Sequence, residues 1–232
     1  MIPGMTVTFE DARKLAQRTV TDVRYPVVNT YTLDAIWVLY DRVLRIDPHY
    51  PDDPGRDRFL LSKGHGPSAF YAVLAAKGFF PADWLDSVAT LNSPLGSHPD
   101  ATLVPGAEMS AGSLGHGLPL GVGVALGLKA TGHHDAQVYV LVGDAELDEG
   151  SNHEAMAYAG AVGLANLNVI VADNDSASHG WPGGIASRFD VHGWSSATAP
   201  MGDHDALYEA FTAPHPDRPQ VTVAVAAPGT RH

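Results

Sequence analysis

A carboxylate and an amide thirty positions apart are the side chains best placed to do chemistry in this chain. Asp144 opens the acidic segment 144–149, and Asn174 follows the apolar run 166–171. The spacing fits one β-α-β unit, which would place both side chains just beyond the carboxyl ends of neighbouring parallel strands, where open α/β sheets bind ligands. A carboxylate, an amide oxygen and a backbone carbonyl form an all-oxygen corner that suits Mg²⁺ when phosphate and water complete the coordination. An ordinary acidic turn followed by an Asn-Asp turn would contain the same residues, so the pair alone leaves both interpretations open.

The elements that must position this pair alternate between strands and helices. Strands are predicted over 58–61, 138–142, 167–171 and 220–226, and helices over about 8–21, 32–45, 67–77, 117–131 and 149–162. This alternation indicates an α/β fold, a parallel β-sheet with helices on both faces. We expect a single domain spanning residues 1–232, in which residues 1–30 contribute a peripheral N-terminal helix.

Composition narrows the function classes. Of the 232 residues 45% are hydrophobic and 17% are charged, which is typical of a globular protein. The net charge of −12 argues against nucleic acid as a partner. Cysteine is absent, so neither disulfides nor thiolate metal sites are expected. We find no signal peptide and no apolar run long enough for a membrane span, and we therefore predict a cytoplasmic protein without a membrane partner.

The helix predicted over 117–131 contains an unusual number of glycines. These are Gly117, Gly121, Gly123 and Gly127. A glycine inside a helix costs about 1 kcal/mol relative to alanine. We therefore expect this helix to pack closely against another backbone or a ligand.

Three further segments occur in a fixed order upstream of Asp144. They are Arg56-Asp57-Arg58-Phe59 with Ser62-Lys63-Gly64-His65-Gly66, then Ser97-His98-Pro99-Asp100, then Gly112-Ser113-Leu114-Gly115-His116-Gly117. With these segments in this order, the chain resembles the N-terminal, diphosphate-binding part of transketolase from roughly Asp34 to Leu207. The 144–174 unit then resembles the thiamine diphosphate signature, which usually begins Gly-Asp-Gly and ends Asn-Asn, and which here begins Gly-Asp-Ala and ends Asp-Asn.

The resemblance implies a role for each motif residue. Asp144, Asn174 and the backbone carbonyl of Ser176 would hold Mg²⁺ against the diphosphate of thiamine diphosphate. The remaining cofactor-binding residues would be Gly112, Ser113, Leu114, Gly143, Ala145 and His65. His116 stands where the family commonly has glutamine, which makes it a weaker cofactor-lining candidate.

Two histidines are the implied catalytic residues. By resemblance, His65 and His98 would lie near the thiazolium ring and the sugar, where an imidazole that titrates near neutrality can transfer protons. The alternative for each is a loop histidine that hydrogen-bonds its own turn, and for the segment 112–117 it is a glycine-rich helix start.

The chain length implies the split form of the family. The glutamate that holds the pyrimidine ring of thiamine would then come from a separate C-terminal transketolase-like subunit, and a heterotetramer of paired chains is expected. Glu149 and Glu154 resemble acids that lie at a subunit interface and link paired cofactor sites. Acids favoured by the helix dipole are the equal alternative.

The implied reaction transfers a two-carbon ketol unit from a ketose to an aldehyde. Two departures from the family pattern favour a specialised sugar or keto substrate. Tyr25 stands where a donor-contacting histidine is usual, and the sequence ends soon after the last predicted strand, where His232 has no assigned role. The alternatives are a 2-oxo acid dehydrogenase subunit, a deoxyxylulose phosphate synthase-like enzyme and a catalytically degenerate regulatory homologue.

Overall fold

A parallel sheet forms the centre of the protein. The structure, a computed structural model, describes residues 7–19 and 31–227, so Tyr25 and His232 lie outside the described residues. The strands are β1 Arg58–Leu61, β2 Val138–Gly143, β3 Leu167–Asp173, β4 Ser195–Pro200 and β5 Gln220–Val225. All neighbouring strands are parallel, in the order β1-β2-β3-β5-β4. The parallel sheet predicted from the sequence is confirmed.

Helices cover both faces of this sheet. They are α1 Phe9–Arg18, α2 Tyr31–Val38, α3 Pro67–Lys77, α4 Gly117–Ala130, α5 Gly150–Ala161, α6 Gly184–Asp190 and α7 His204–Phe211. Buried residues of α1, α2, α3 and α7 form one apolar cluster with one face of the strands. Buried residues of α4, α5 and α6 form a second cluster with the opposite face. The sandwiched sheet explains why its central strands are apolar along almost their whole length.

Local sequence signals set several of these boundaries. Thr8 caps α1 through a reciprocal pair of hydrogen bonds with Asp11, which stabilises a helix start by satisfying otherwise unpaired N–H groups. Pro67 begins α3, and Gly78 ends it with φ of 89°, the left-handed conformation that favours glycine. The helix expected over 32–45 is α-helical only to Val38 and continues as a π turn over Leu39–Val43.

Half of the glycines in α4 pack as the sequence predicts. A Cβ on Gly117 would lie 2.2 Å from the Ser62 Cβ, and one on Gly121 would lie 2.4 Å from a Val140 methyl group. Gly123 and Gly127 have no such neighbour within 4 Å in the described chain. The first two glycines therefore allow α4 to approach β1 and β2, and contacts among the described residues do not explain the other two.

We expect Gly160→Ala to destabilise the fold by about 2 kcal/mol or more, because its new methyl group must displace backbone. A Cβ on Gly160 would lie 1.8 Å from the carbonyl oxygen of His192. Gly127→Ala is the matched control, since it adds a methyl group to open space in a helix and should raise stability by up to about 1 kcal/mol. Urea unfolding of both variants measures the difference, and equal stabilities would contradict the packing described for α5.

The sequence prediction omitted one strand and two α-helices, namely β4, α6 and α7. β4 reads Ser-Ser-Ala-Thr-Ala-Pro and lies at the edge of the sheet, where several of its residues face solvent. Edge strands need no apolar run and tolerate proline, so the pattern used to find the central strands does not detect it. Within residues 7–19 and 31–227, no helix combines the length and the apolar character that crossing a membrane requires.

Candidate functional site

Asp144 and Asn174 lie at the same edge of the sheet, beyond the carboxyl ends of two adjacent strands. Asp144 follows β2 and Asn174 follows β3, and these strands pair in parallel with Gly143 opposite Ala172. The pairing extends one step further, because the backbone N–H of Asp144 donates to the carbonyl of Ala172 at 3.3 Å. Both side chains are buried, with 2% of Asp144 and 7% of Asn174 exposed. A cation bound at this edge could therefore be coordinated by the buried side-chain oxygens of Asp144 and Asn174.

The carboxylate of Asp144 holds the start of the loop after β3. One oxygen accepts the backbone N–H groups of Ser176 and Ala177, at 2.6 and 3.0 Å. The other accepts the Ser176 hydroxyl at 2.6 Å. Asp144 and Ser176, both metal-ligand candidates from the sequence, are therefore in direct contact.

Asn174 supplies the observation that tests whether a cation fits. Its Oδ1 is buried and makes no hydrogen bond within the described residues. A buried amide oxygen without a partner costs about 1–3 kcal/mol, and a cation would satisfy it. No cluster of three or more His, Cys, Asp or Glu that could hold a metal occurs in the described ranges. A metal would therefore depend on amide and carbonyl oxygens beside Asp144, a donor set that suits Mg²⁺.

Glu146 is a buried residue of the candidate site to which the sequence assigned no role. Its carboxylate is 2% exposed. One oxygen accepts the Ser62 hydroxyl and the backbone N–H of Gly115, the latter at 2.9 Å. The other oxygen accepts the backbone N–H of Gly143 at 3.1 Å. Glu146 thus joins the ends of β1 and β2 to the glycine-rich segment before α4, and we call Glu146, Ser62, Gly115, Gly117 and Gly143 the Glu146 cluster.

Ser62 extends the Glu146 cluster to the first residue of α4. Its hydroxyl oxygen accepts the backbone N–H of Gly117 at 3.0 Å while its proton is donated to Glu146. The Ser151 hydroxyl of α5 also donates to the carbonyl of Gly115 at 2.6 Å. Gly115 has φ of 80°, and a Cβ there would lie 2.6 Å from the Glu149 side chain. These contacts fix the path of the segment 112–117, to which the sequence assigned cofactor binding.

The two candidate catalytic histidines border this segment. Both His65 and His98 are exposed. Gly112 has φ of 129°, and a Cβ there would lie 3.1 Å from the His98 ring. On the other side, a Cβ on Gly64, next to His65, would lie 3.4 Å from the Leu114 side chain. The structure thus places the loops of His65 and His98 against the segment 112–117.

The other candidate residues from the sequence have exposed side chains or none. Gly143 is buried at the end of β2, whereas Ala145 is exposed just beyond it. Ser113 and His116 are exposed within the glycine-rich segment. Glu149 and Glu154 are exposed on α5 and its start, and Glu149 packs against Gly115 through its aliphatic carbons. Exposure leaves these side chains accessible to a ligand or to another chain.

Charged groups are concentrated beneath this edge of the sheet. Burial lowers the pKa of the Lys63 ammonium, and the negative charges of Asp144 and Glu146 oppose that lowering. Burial also raises the pKa of Asp173, the last residue of β3, and the charge of Asp144 raises it further. Acidic side chains therefore outnumber the buried lysine here, which favours binding of an additional cation.

The family of the chain follows from comparison with known proteins. Residues 11–223 match the model of the transketolase, thiamine diphosphate-binding domain family. The chain belongs to this family, and the diphosphate-binding fold predicted from the sequence is confirmed. Thiamine diphosphate with Mg²⁺, predicted as its cofactor, is likewise confirmed at the level of the family.

Relatives include both enzyme subunits and larger chains. The protein named ferredoxin fas2 of Rhodococcoides fascians is 54% identical over 94% of this chain and 71% of its own length. A protein of Actinobacillus succinogenes, named as one subunit of an apulose-4-phosphate transketolase, is 46% identical over 57% of this chain and 48% of its own length. A variant transketolase of Pichia stipitis, solved with fructose 6-phosphate, has a similar fold, with a TM-score of 0.82 at 26% identity. The match covers 95% of this chain and 36% of that enzyme.

The first of these names does not describe the site seen here. Protein-bound iron–sulfur clusters are held mainly by cysteine thiolates, and these 232 residues contain no cysteine. The chain spans only about half of the apulose-4-phosphate transketolase subunit that it matches. The names of these two relatives therefore do not define what this domain binds.

Proposed function

We propose that this chain is the N-terminal subunit of a two-chain transketolase-like enzyme that transfers a two-carbon ketol unit from a ketose to an aldehyde. The observation that carries the proposal is the corner formed by Asp144, Asn174 and Ser176 at the ends of β2 and β3, with the Asn174 amide oxygen buried and unsatisfied. Asp144, Asn174 and the Ser176 carbonyl would hold Mg²⁺. The cofactor would be lined by Gly112, Ser113, Leu114, Gly143, Ala145 and His65.

The chain's own residues have limited but definite tasks in such a reaction. Thiamine diphosphate supplies the carbanion chemistry and the electron sink when it is bound. Glu146 and Ser62 hold the backbone of the glycine-rich segment in place before the cofactor arrives. His65 and His98, both exposed beside that segment, would exchange protons with the hydroxyl and carbonyl oxygens of the sugar.

A second subunit is part of the proposal. The relative that shares 46% identity is named as one of the subunits of its transketolase, which supports a two-chain enzyme. The partner, a C-terminal transketolase-like subunit, would supply the glutamate for the pyrimidine ring, and two copies of each chain would form a heterotetramer. We expect subunit contacts at two places on this chain. One is the face of α4 that carries Gly123 and Gly127, and the other is formed by the exposed side chains of Glu149 and Glu154. A cytoplasmic location and a single domain over residues 1–232 remain predictions.

The substrate class follows from the same relative. That protein acts on apulose 4-phosphate by its name, and Tyr25 in place of the usual histidine supports altered handling of the donor sugar. We therefore propose a specialised sugar phosphate as one substrate, in preference to the ordinary ketose phosphates.

The proposal is tested by combining the chain with a candidate C-terminal transketolase-like subunit. With thiamine diphosphate and Mg²⁺, the two chains together should shorten a ketose by two carbons and lengthen an aldehyde by two carbons. Mass spectrometry measures both products. Neither chain alone should do so. Turnover of pyruvate instead would favour the 2-oxo acid dehydrogenase or deoxyxylulose phosphate synthase alternatives. Partner binding without any cofactor binding would favour a degenerate regulatory homologue.

A further inference from the structure

Lys63 is a buried cation to which the proposed reaction assigns no task. It follows β1, and its backbone N–H donates to the carbonyl of Leu141 on β2 at 3.0 Å. Only 7% of the residue is exposed. Its ammonium nitrogen lies 2.9 Å from where a Cβ on Gly143 would be. The absence of a side chain at Gly143 therefore leaves room for the ammonium group directly before Asp144.

The surrounding acids already have defined hydrogen-bond partners. The Asp144 carboxylate accepts from Ser176 and Ala177, and the Glu146 carboxylate accepts from Ser62, Gly115 and Gly143. Backbone and hydroxyl donors orient both carboxylates but leave their charges in place. The Lys63 ammonium is thus the positive charge built into this corner of the protein.

The balance of charge shows that a divalent metal alone would not neutralise the acidic side chains at this edge of the sheet. Asp144, Glu146 and Asp173 contribute three negative charges, and a divalent metal would neutralise two of them. A diphosphate would then approach a corner that is still negative, in a chain whose net charge is −12. The positive charge of Lys63 offsets the third of these carboxylates. Lys63 is also the sole Lys or Arg within segments 62–66, 112–117, 143–150 and 174–177.

We propose that Lys63 is a diphosphate-binding residue, whose buried ammonium group attracts the diphosphate of the cofactor and repels the free metal ion. The proposal rests on the proposed function of this site. It assigns to Lys63 two effects of opposite sign on two ligands. A residue that only supports packing would change both affinities in the same direction, or neither.

The test compares the full chain with its Lys63→Met variant by isothermal titration. The probes are Mg²⁺ alone and inorganic pyrophosphate in saturating Mg²⁺. We expect Lys63→Met to bind Mg²⁺ at least about 3-fold more tightly, because a like charge is gone, and pyrophosphate at least about 10-fold more weakly. Lys14→Met, which removes an exposed lysine of α1, should change neither affinity.

Each other outcome overturns the inference. Unchanged pyrophosphate affinity, or affinities that fall together or rise together, would show that Lys63 acts through packing or through the metal alone. If Lys63→Met does not fold by circular dichroism, Lys63→Gln is titrated in its place with the same expectations. Wild-type chain that binds neither Mg²⁺ with pyrophosphate nor Mg²⁺ with thiamine diphosphate would instead refute the proposed function, so the two failures are distinguishable.

Discussion

Asp144→Ala is expected to abolish the stabilisation that thiamine diphosphate and Mg²⁺ give to this chain and its partner. A ligand at 100 times its Kd stabilises the folded state by about 2.7 kcal/mol. For a domain of this size each kcal/mol raises Tm by about 2–4 °C, so the wild-type shift should be about 5–11 °C. The variant loses the one carboxylate that faces both Ser176 and the edge where Asn174 lies, and its shift should be close to zero.

The readout must be the ligand-induced shift and not the absolute Tm. Asp144 also holds the loop after β3, because Ser176 and Ala177 donate to it, so its removal destabilises the unliganded chain as well. Asp190→Ala removes an exposed acid at the end of α6 and is the matched control, with a full shift expected. An Asp144→Ala chain that still gains several degrees with cofactor and Mg²⁺ would show that the metal corner is misassigned.

The central strands and the placement of Asp144 and Asn174 at one edge of the sheet were predictable from sequence because each has a local signal. β2 and β3 are apolar along almost their whole length, as strands buried on both faces must be. The spacing between Asp144 and Asn174 equals one β-α-β unit, and parallel pairing then brings both to one edge of the sheet. Both predictions depend on short-range pattern and on a rule of topology, which is why they needed no coordinates.

Glu146 was not predictable in the same way because its partners are distant in sequence. Gly115 lies 31 residues before it and Ser62 lies 84 residues before it. An acid at this position in the sequence is equally consistent with a solvated acid before a helix, since burial of a charged side chain leaves no local periodic signal. The burial of Lys63 also leaves no local signal, because a lysine in a glycine-rich loop is usually exposed.

Glu146→Ala is expected to lower the free energy of unfolding by about 3–5 kcal/mol, because each buried donor that loses its acceptor costs about 1–3 kcal/mol. The Ser62 hydroxyl and the N–H groups of Gly115 and Gly143 would all lose their acceptor in a region that is closed to water. Urea unfolding followed by circular dichroism measures this loss. Glu154→Gln, which changes an exposed acid on α5, should stay within about 0.5 kcal/mol of wild type.

Glu146→Gln separates the role of charge and acceptor number from that of shape. Its amide keeps the size of the carboxylate but replaces one acceptor oxygen with a donor. At least one of the groups that now donate to Glu146 would then face an N–H, at a cost of about 1–3 kcal/mol. We also expect weaker binding of thiamine diphosphate with Mg²⁺ by Glu146→Gln, because the attachment of the segment 112–117 to β1 and β2 would be weakened. A variant with wild-type stability and wild-type cofactor affinity would contradict the positioning role, since it would show that the glycine-rich segment keeps its path without a buried carboxylate beneath it.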